Sequence, residues 1–78
     1  MDFQSLRTVL LIEQLGSIAA AARRLNVDAS SVSRVLAGVE RELGMRLFQR
    51  STRRLQVSEA GAAYLRRIAP LLDEMEAA

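Results

Sequence analysis

The side chains in this sequence that are best suited to binding chemistry are its arginines, and they are concentrated in the middle of the chain. Residues 23–54 contain eight arginines and three acidic residues, a net charge of +5, whereas the remaining three arginines and six acidic residues give −3. Arginine forms bidentate hydrogen bonds with phosphates and with guanine. The separation of charge indicates that the middle segment faces a polyanion. The absence of lysine fits the same chemistry, although a GC-rich coding bias would explain it equally well.

Catalytic chemistry has little support in the sequence. The chain contains no histidine and no cysteine, so acid–base catalysis near neutral pH would fall to carboxylates, and nothing pairs these in a pocket. The sequence also lacks the pattern of a nucleophile with its base, of a metal site or of a glycine-rich phosphate loop. We therefore expect a protein that is not an enzyme and that uses no cofactor and no metal.

Length and hydropathy indicate a small globular domain. Half of the 78 residues are hydrophobic, which is enough for one small domain with a thin core. No apolar run reaches the length of a membrane span. An early acidic residue, together with charges in the first apolar run, argues against a signal peptide. We expect a cytoplasmic protein without membrane contact.

The arginines must be positioned by helices, and the sequence marks where these begin and end. Capping residues and glycines predict helices over residues 3–15, 18–25 and 29–43, with Asp28 as the N-cap of the third. Helical spacing predicts that the third helix buries Val32, Leu36, Val39 and Leu43. The opposite face then carries Ser30, Arg34, Ala37 and Arg41. A face with one hydroxyl group, a small gap and two guanidinium groups suits the major groove of DNA.

The periodicity changes after the third helix and predicts a β-hairpin. Residues 47–50 and 55–57 are the expected strands, and residues 51–54 form the polar turn between them. In the second strand, Leu55 and Val57 are expected to face inward and Gln56 outward.

A fourth helix is predicted from Glu59, capped by Ser58, nearly to the end of the chain. It carries apolar residues at spacings of three, four and three, the pattern of a two-stranded coiled coil: Leu65, Ile68, Leu72 and Met75. We expect Pro70 to kink this helix or to divide it. The apolar seam could also dock on the first helix of the same chain, and we expect the helix to make both kinds of contact.

Several short segments with fixed spacing carry a resemblance to a known family. They are Gly16-Ser17, Ala21-Ala22 with Leu25 and Val27, Ser33-Arg34, Leu43-Gly44, Arg46-Leu47-Phe48, Arg50, Arg53 and Ser58-Glu59-Ala60-Gly61. The chain from Phe3 to about Leu65 resembles the N-terminal winged helix-turn-helix domain of LysR-type transcriptional regulators. The resemblance implies a mainly α fold with a three-helix core, a two-stranded β wing and a long C-terminal dimerisation helix.

The resemblance also implies a bacterial repressor or activator that binds double-stranded DNA as a homodimer. Residues 1–58 would form the DNA-binding domain and residues 59–78 the linker and dimerisation helix. In the family a ligand-sensing domain follows, and this sequence contains none. We therefore expect a truncated DNA-binding chain or a natural stand-alone fragment, in which a small-molecule effector would act only through the missing C-terminal domain.

The start of the third helix departs from the family pattern. Where the family commonly has Ser-Gln-Pro, this chain has Asp28-Ala29-Ser30. The amide that would reach a base edge is missing at Ala29, so a contact there is at most apolar, for example with a thymine methyl group. The preferred DNA sequence is expected to differ accordingly. The family also usually has a bulky aromatic residue where this chain has Ile18, which changes core packing only.

The candidate DNA contacts fall into two groups. The predicted base contacts are Ala29, Ser30, Ser33 and Arg34. The predicted contacts with the DNA backbone or through the wing are Ser31, Arg50, Ser51, Thr52, Arg53 and Arg54. Several have a structural alternative. Arg34 could be solvated or paired with Asp28 or Glu40, and Ser30 and Ser33 could bond their own helix backbone. Arg50 could pair with an acid, and the hairpin tip could be a solvated turn.

Two functions from different classes follow from these observations. The first is sequence-specific binding of duplex DNA, with the third helix (29–43) in the major groove and the wing (47–57) on phosphates or in the minor groove. The second is a protein-interaction module that works through the fourth helix. A protein-docking module has no need of a middle segment with a charge of +5, so we favour DNA binding.

Overall fold

The computed structural model describes residues 1–50 and 55–78. Its helices and strands follow in the order α1 (Phe3–Leu15), α2 (Ile18–Leu25), α3 (Ala29–Leu43), β1 (Phe48–Arg50), β2 (Leu55–Val57) and α4 (Glu59–Ala77). The strands are antiparallel, with Phe48 opposite Val57 and Arg50 opposite Leu55. The predicted mainly α fold, with three helices, a two-stranded sheet and a long final helix, is confirmed. The predicted turn residues Ser51, Thr52, Arg53 and Arg54 lie outside the described residues.

The ends of the first two helices follow the predicted capping chemistry. The Asp2 carboxylate accepts the Ser5 backbone N–H at 2.8 Å, and this bond holds the pKa of Asp2 below its ordinary value. Gly16 ends α1 in the left-handed conformation at φ 71°. The Ser17 hydroxyl accepts the Ala20 N–H at 3.1 Å at the start of α2. Local sequence therefore fixes where α1 ends and α2 begins.

One continuous core joins all four helices and the start of the sheet. Its buried apolar side chains are Val9, Leu10, Ile12, Ala21, Ala22, Val32, Leu36, Val39, Leu47, Phe48, Leu65 and Leu72. The two alanines of α2 are small enough to bring that helix close to its neighbours. The predicted stripe of α3 is confirmed for Val32, Leu36 and Val39, and Leu43 is half-buried against the core. The core thus fixes which face of α3 is turned outward.

Helix α4 belongs to the same core, which changes the interpretation of its apolar seam. Leu65 and Leu72 are buried within the chain, so a second copy is not needed to cover them, and the half-buried Ile68 packs against the same core. Of the four seam residues, Met75 is the one left exposed, at 63%, and its neighbour on the helix surface, Leu71, is 57% exposed. Any surface on α4 for a second chain must therefore include side chains outside the predicted seam.

Pro70 lies inside α4 without dividing it, so of the two expected outcomes, a kink or a division, the division does not occur. A proline removes one backbone hydrogen bond, and tertiary contacts beyond it can offset that loss. Here Leu72 is buried two residues later. Arg7 of α1 also binds the end of α4, donating to Asp73 at 2.7 Å and pairing with Glu76. These contacts hold the last turns of α4 against α1, and the bond to Asp73 raises the pKa of Arg7.

Within the described residues, no helix combines the length and the apolar character that crossing a bilayer requires.

Candidate nucleic-acid interface

The outward face of α3 presents the side chains that helical spacing predicted. Ser30, Arg34, Ala37 and Arg41 are all exposed, and they lie opposite the buried stripe of the same helix. Because Leu36 is fully buried, α3 cannot rotate without removing its apolar side from the core. The exposed face is therefore held in one orientation, as is required of a helix that enters a DNA groove.

The leading end of α3 is small and polar. Ala29 and Ser30 are exposed, and Ser31 and Ser33 are half-buried. Because these side chains are short, a ligand can come close to the backbone of this first turn. A base edge or a phosphate could therefore reach the exposed hydroxyl group and the first backbone N–H groups of the helix.

Asp28 occupies the N-cap position of α3, but its side chain makes no capping hydrogen bond. Its backbone carbonyl accepts the N–H groups of Ser31 at 3.0 Å and of Val32 at 3.3 Å. The position of the predicted cap is confirmed, whereas the expected bond from the carboxylate to the helix backbone is absent. The backbone of Asp28 is anchored to the helix, and its exposed carboxylate is not used for capping.

Arg34 is exposed and contacts its own helix. Its Nη2 donates to the Ser31 hydroxyl at 3.3 Å, one helical turn earlier. The alternative of pairing with Asp28 or Glu40 does not occur, since Arg34 forms no ion pair with either of these two residues. The bond to Ser31 directs the guanidinium group toward the leading end of α3. Ser31 therefore helps to position Arg34.

Glu40 connects α3 to the first strand, a role that sequence reasoning missed. Its Oε2 accepts the backbone N–H of Leu47 at 2.8 Å and that of Phe48 at 3.3 Å. Its Oε1 lies 3.5 Å from Nη2 of Arg50, so the predicted alternative of an acidic partner for Arg50 is confirmed. The Glu40 side chain is only 11% exposed. One sequence signal was available, namely an acidic residue directly after the buried Val39, on the flank of the apolar stripe.

The strands are also tied to the start of α4. The Ser58 N–H donates to the Leu47 carbonyl at 2.8 Å, and the Ser58 hydroxyl donates to the Arg46 carbonyl at 2.8 Å. The same hydroxyl accepts the Gly61 N–H at 2.9 Å, as the predicted N-cap of α4 requires. These bonds fix the described part of the wing on two sides, against α3 through Glu40 and against α4 through Ser58.

Three arginines extend the basic surface from α3 toward the wing. Arg41, Arg46 and Arg50 line a shallow depression between the end of α3 and β1. All three are exposed. Arg50 is partly neutralised by Glu40, whereas Arg41 and Arg46 have no ion pair within the described residues. The surface beside the outward face of α3 is therefore positively charged, as expected for contact with phosphates.

Comparisons with known proteins agree with this geometry. Residues 3–62 match the family described as bacterial regulatory helix-turn-helix protein, lysR family. The HTH-type transcriptional regulator TfdS of Cupriavidus pinatubonensis (strain JMP 134 / LMG 1197) is 42% identical over 65 residues, which are 83% of this chain and 22% of that protein. The chain thus spans less than a quarter of the length of that regulator.

Two solved structures have a closely similar fold. The crystal structure of a CbnR_DBD–DNA complex has a TM-score of 0.90 and 32% identity, and the match covers 97% of this chain and 87% of that one. The crystal structure of a BenM_DBD/catB site 1 DNA complex has a TM-score of 0.92 and 25% identity, over 97% of this chain and 82% of that one.

Proposed function

The chain belongs to the lysR family of bacterial regulatory helix-turn-helix proteins, and we propose that it binds a specific sequence of double-stranded DNA as part of a transcriptional regulator. The observation that carries the proposal is the outward face of α3, with two exposed arginines opposite a fully anchored apolar stripe. Similar folds in complexes with DNA support it. Binding of this kind requires no catalysis.

In the proposed complex, α3 lies in the major groove. Ala29, Ser30, Ser33 and Arg34 contact base edges, and Ser31 contacts the DNA backbone while positioning Arg34. Arginine is suited to guanine, whose O6 and N7 accept its two parallel N–H groups. Ala29 offers only its methyl group, so it can contact a thymine methyl group but cannot form a hydrogen bond through its side chain.

The wing is proposed to contact phosphates or the minor groove. Arg50 would divide its charge between Glu40 and the DNA backbone, since it is 45% exposed and its distance to Glu40 is long, at 3.5 Å. The adjacent wing residues Ser51, Thr52, Arg53 and Arg54 are proposed contacts from the sequence alone. Two neighbouring arginines there would add charge-assisted bonds to phosphate oxygens.

We further propose a homodimer that forms through α4, with residues 1–58 as the DNA-binding part and residues 59–78 as the linker and dimerisation helix. Leu71 and Met75 are large apolar side chains that the chain itself leaves exposed on α4. Pairing them with a second copy would remove that apolar surface from water. A two-fold dimer presents two copies of α3, so its DNA site would be nearly palindromic. A small-molecule effector would act through a further domain of the regulator.

The proposed function is tested by measuring binding to labelled duplexes by fluorescence anisotropy at several salt concentrations. Neutralising about six phosphates predicts a loss in affinity of roughly a thousandfold between about 50 and 200 mM salt. Selection from a random duplex pool should enrich one sequence, which must bind more tightly than its scrambled version. A chain that binds no duplex at low salt would instead support a protein-interaction module.

A further inference from the structure

We propose that Asp28 is a specificity-determining residue that selects a cytosine in the major groove by accepting a hydrogen bond from the cytosine N4 amine. The inference rests on the proposed function, since it requires α3 to enter the groove with its leading end. It assigns to this chain a base contact at the residue before the helix, in addition to the contacts proposed for the outward face of α3.

The first observation is that the Asp28 carboxylate is left unused by the fold. At the N-caps of the other helices, Asp2, Ser17 and Ser58 each accept a backbone N–H from three residues later. Asp28 occupies the same position on α3, yet its side chain forms no such bond. Within the described residues it also forms no ion pair. A carboxylate at an N-cap normally stabilises the helix by this bond, so its absence leaves both oxygens available to a ligand.

The second observation is that Asp28 is held at a fixed point of the interface. Its backbone carbonyl accepts the N–H groups of Ser31 and Val32. Val32 is buried in the core, so the turn that carries Asp28 is anchored to the body of the protein. Asp28 and the two residues after it are exposed. The carboxylate is therefore supported by a rigid backbone at the end of α3 that leads into the groove.

The third observation is the chemistry of the neighbouring positions. Ala29 has no hydrogen-bonding side chain, and the Ser30 hydroxyl is short and neutral. Asp28 is the only acidic residue between Gln14 and Val39, so it is the one strong acceptor at this end of the helix. Its negative charge is repelled by the DNA phosphates. A carboxylate at this position therefore favours binding only where a DNA group donates a hydrogen bond to it.

The major-groove edges of the bases decide which group that is. The only donors there are the exocyclic amines of cytosine, N4, and of adenine, N6. Adenine carries the acceptor N7 beside its amine, which repels a carboxylate, whereas cytosine presents no acceptor of its own in that groove. Guanine and thymine present acceptors only. Asp28 should therefore favour cytosine and disfavour both guanine and thymine.

The experiment is selection of bound duplexes from a random pool, followed by affinity measurements, with the wild-type chain and with the variants D28S and D28N. The wild type should select cytosine at one position of each half-site, and replacing that C·G pair by T·A should weaken binding about tenfold. The affinities of D28S for the two duplexes should differ by no more than about twofold. D28S should keep the wild-type base preferences at the other positions of the half-site. D28N should shift the preference at that position toward adenine, because an amide pairs with adenine N6 and N7.

A matched control is E74Q, which removes the same unit of charge from an exposed acidic residue on α4. It should leave the base preference unchanged. The inference is overturned if D28S selects the same base as the wild type at every position. It is also overturned if D28S and D28N bind all duplexes more tightly by one common factor, because that result would reflect only the loss of repulsion between Asp28 and the phosphates. Failure of the wild type to enrich any sequence would instead contradict the proposed function itself.

Discussion

At the scale of single residues, Gly61 lies where the backbone of α4 comes close to the backbone of Leu47. A Cβ atom at this position would lie 2.2 Å from the Leu47 carbonyl oxygen, the same oxygen that accepts the Ser58 N–H. Real Cβ atoms do not come so close to a backbone oxygen, so α4 would have to move away from β1. Glycine is required here by the space available and not by an unusual backbone conformation.

We therefore expect Gly61→Ala to lower the free energy of unfolding by about 1 to 3 kcal/mol, as overpacking against a rigid neighbour does. The measurement is urea unfolding followed by circular dichroism. Gly38→Ala on α3 is the matched control, since its nearest neighbour would be Nη2 of Arg41 at 3.9 Å. That variant should be stabilised by up to about 1 kcal/mol through helix propensity. Equal effects of the two substitutions would contradict the steric explanation.

At the level of residues, the sequence predicted burial and exposure correctly where the helical spacing of apolar residues determines them. The exposure of Arg34 followed from the spacing of Val32, Leu36 and Val39, because a helix with a buried stripe has only one opposite face. Periodicity does not specify the partners of the Asp28 and Glu40 carboxylates. A side chain at an N-cap or beside a stripe has several partners within reach, and only the tertiary arrangement selects among them.

At the scale of secondary-structure elements, Glu40 joins α3 to β1. Its carboxylate accepts two backbone N–H groups of the chain entering β1 while it is nearly buried. Removing such an acceptor leaves two donors without partners in a half-buried site. The ion pair with Arg50 is the weaker part of the arrangement, because Arg50 is 45% exposed and 3.5 Å away.

Glu40→Ala should therefore lower the free energy of unfolding by about 2 to 3 kcal/mol. Arg50→Ala, which removes only the exposed partner, should lower it by less than about 1 kcal/mol. Hydrogen exchange of the Leu47 and Phe48 amides should accelerate in the first variant and stay close to wild type in the second. If both variants lost the same stability, the ion pair and not the backbone bonds would be the connection between α3 and β1.

The bounds of the elements could be predicted from the sequence because each helix end has its own local signal. Gly16, Asn26 and Gly44 adopt the left-handed conformation that ends α1, α2 and α3. The continuity of α4 through Pro70 could not be predicted in this way. It depends on contacts distant in sequence, the burial of Leu72 and the binding of Arg7 to Asp73 and Glu76.

At the scale of the whole molecule, the proposed dimer depends on apolar surface that one chain leaves exposed. Two of the four residues of the apolar seam predicted on α4, Leu65 and Leu72, are buried in the core of the same chain. Periodicity alone cannot distinguish an apolar stripe that packs within the chain from one that pairs with a second copy. Leu71 and Met75 are exposed, at 57% and 63%, and are the proposed contacts across the dimer.

The double variant Leu71→Asp, Met75→Asp should therefore weaken self-association at least about tenfold, because it places charges in the proposed apolar contact. Both side chains are exposed, so the circular dichroism spectrum should remain that of the folded chain. Sedimentation equilibrium measures the change, with Val27→Asp as control, since Val27 is 48% exposed but lies before α3. A wild-type chain that is monomeric at every concentration, or a double variant that associates like the wild type, would contradict the proposed dimer.

The most direct test of base reading by α3 is the affinity of Arg34→Ala for the selected duplex and for its scrambled version. Arg67→Ala serves as the control, because it removes one exposed arginine from α4. If Arg34 contacts a base edge, its replacement should weaken binding to the selected duplex by roughly 1–3 kcal/mol and change binding to the scrambled duplex little. Arg67→Ala should not discriminate between the two duplexes. An equal loss on both duplexes for Arg34→Ala would contradict the proposal that Arg34 reads a base edge.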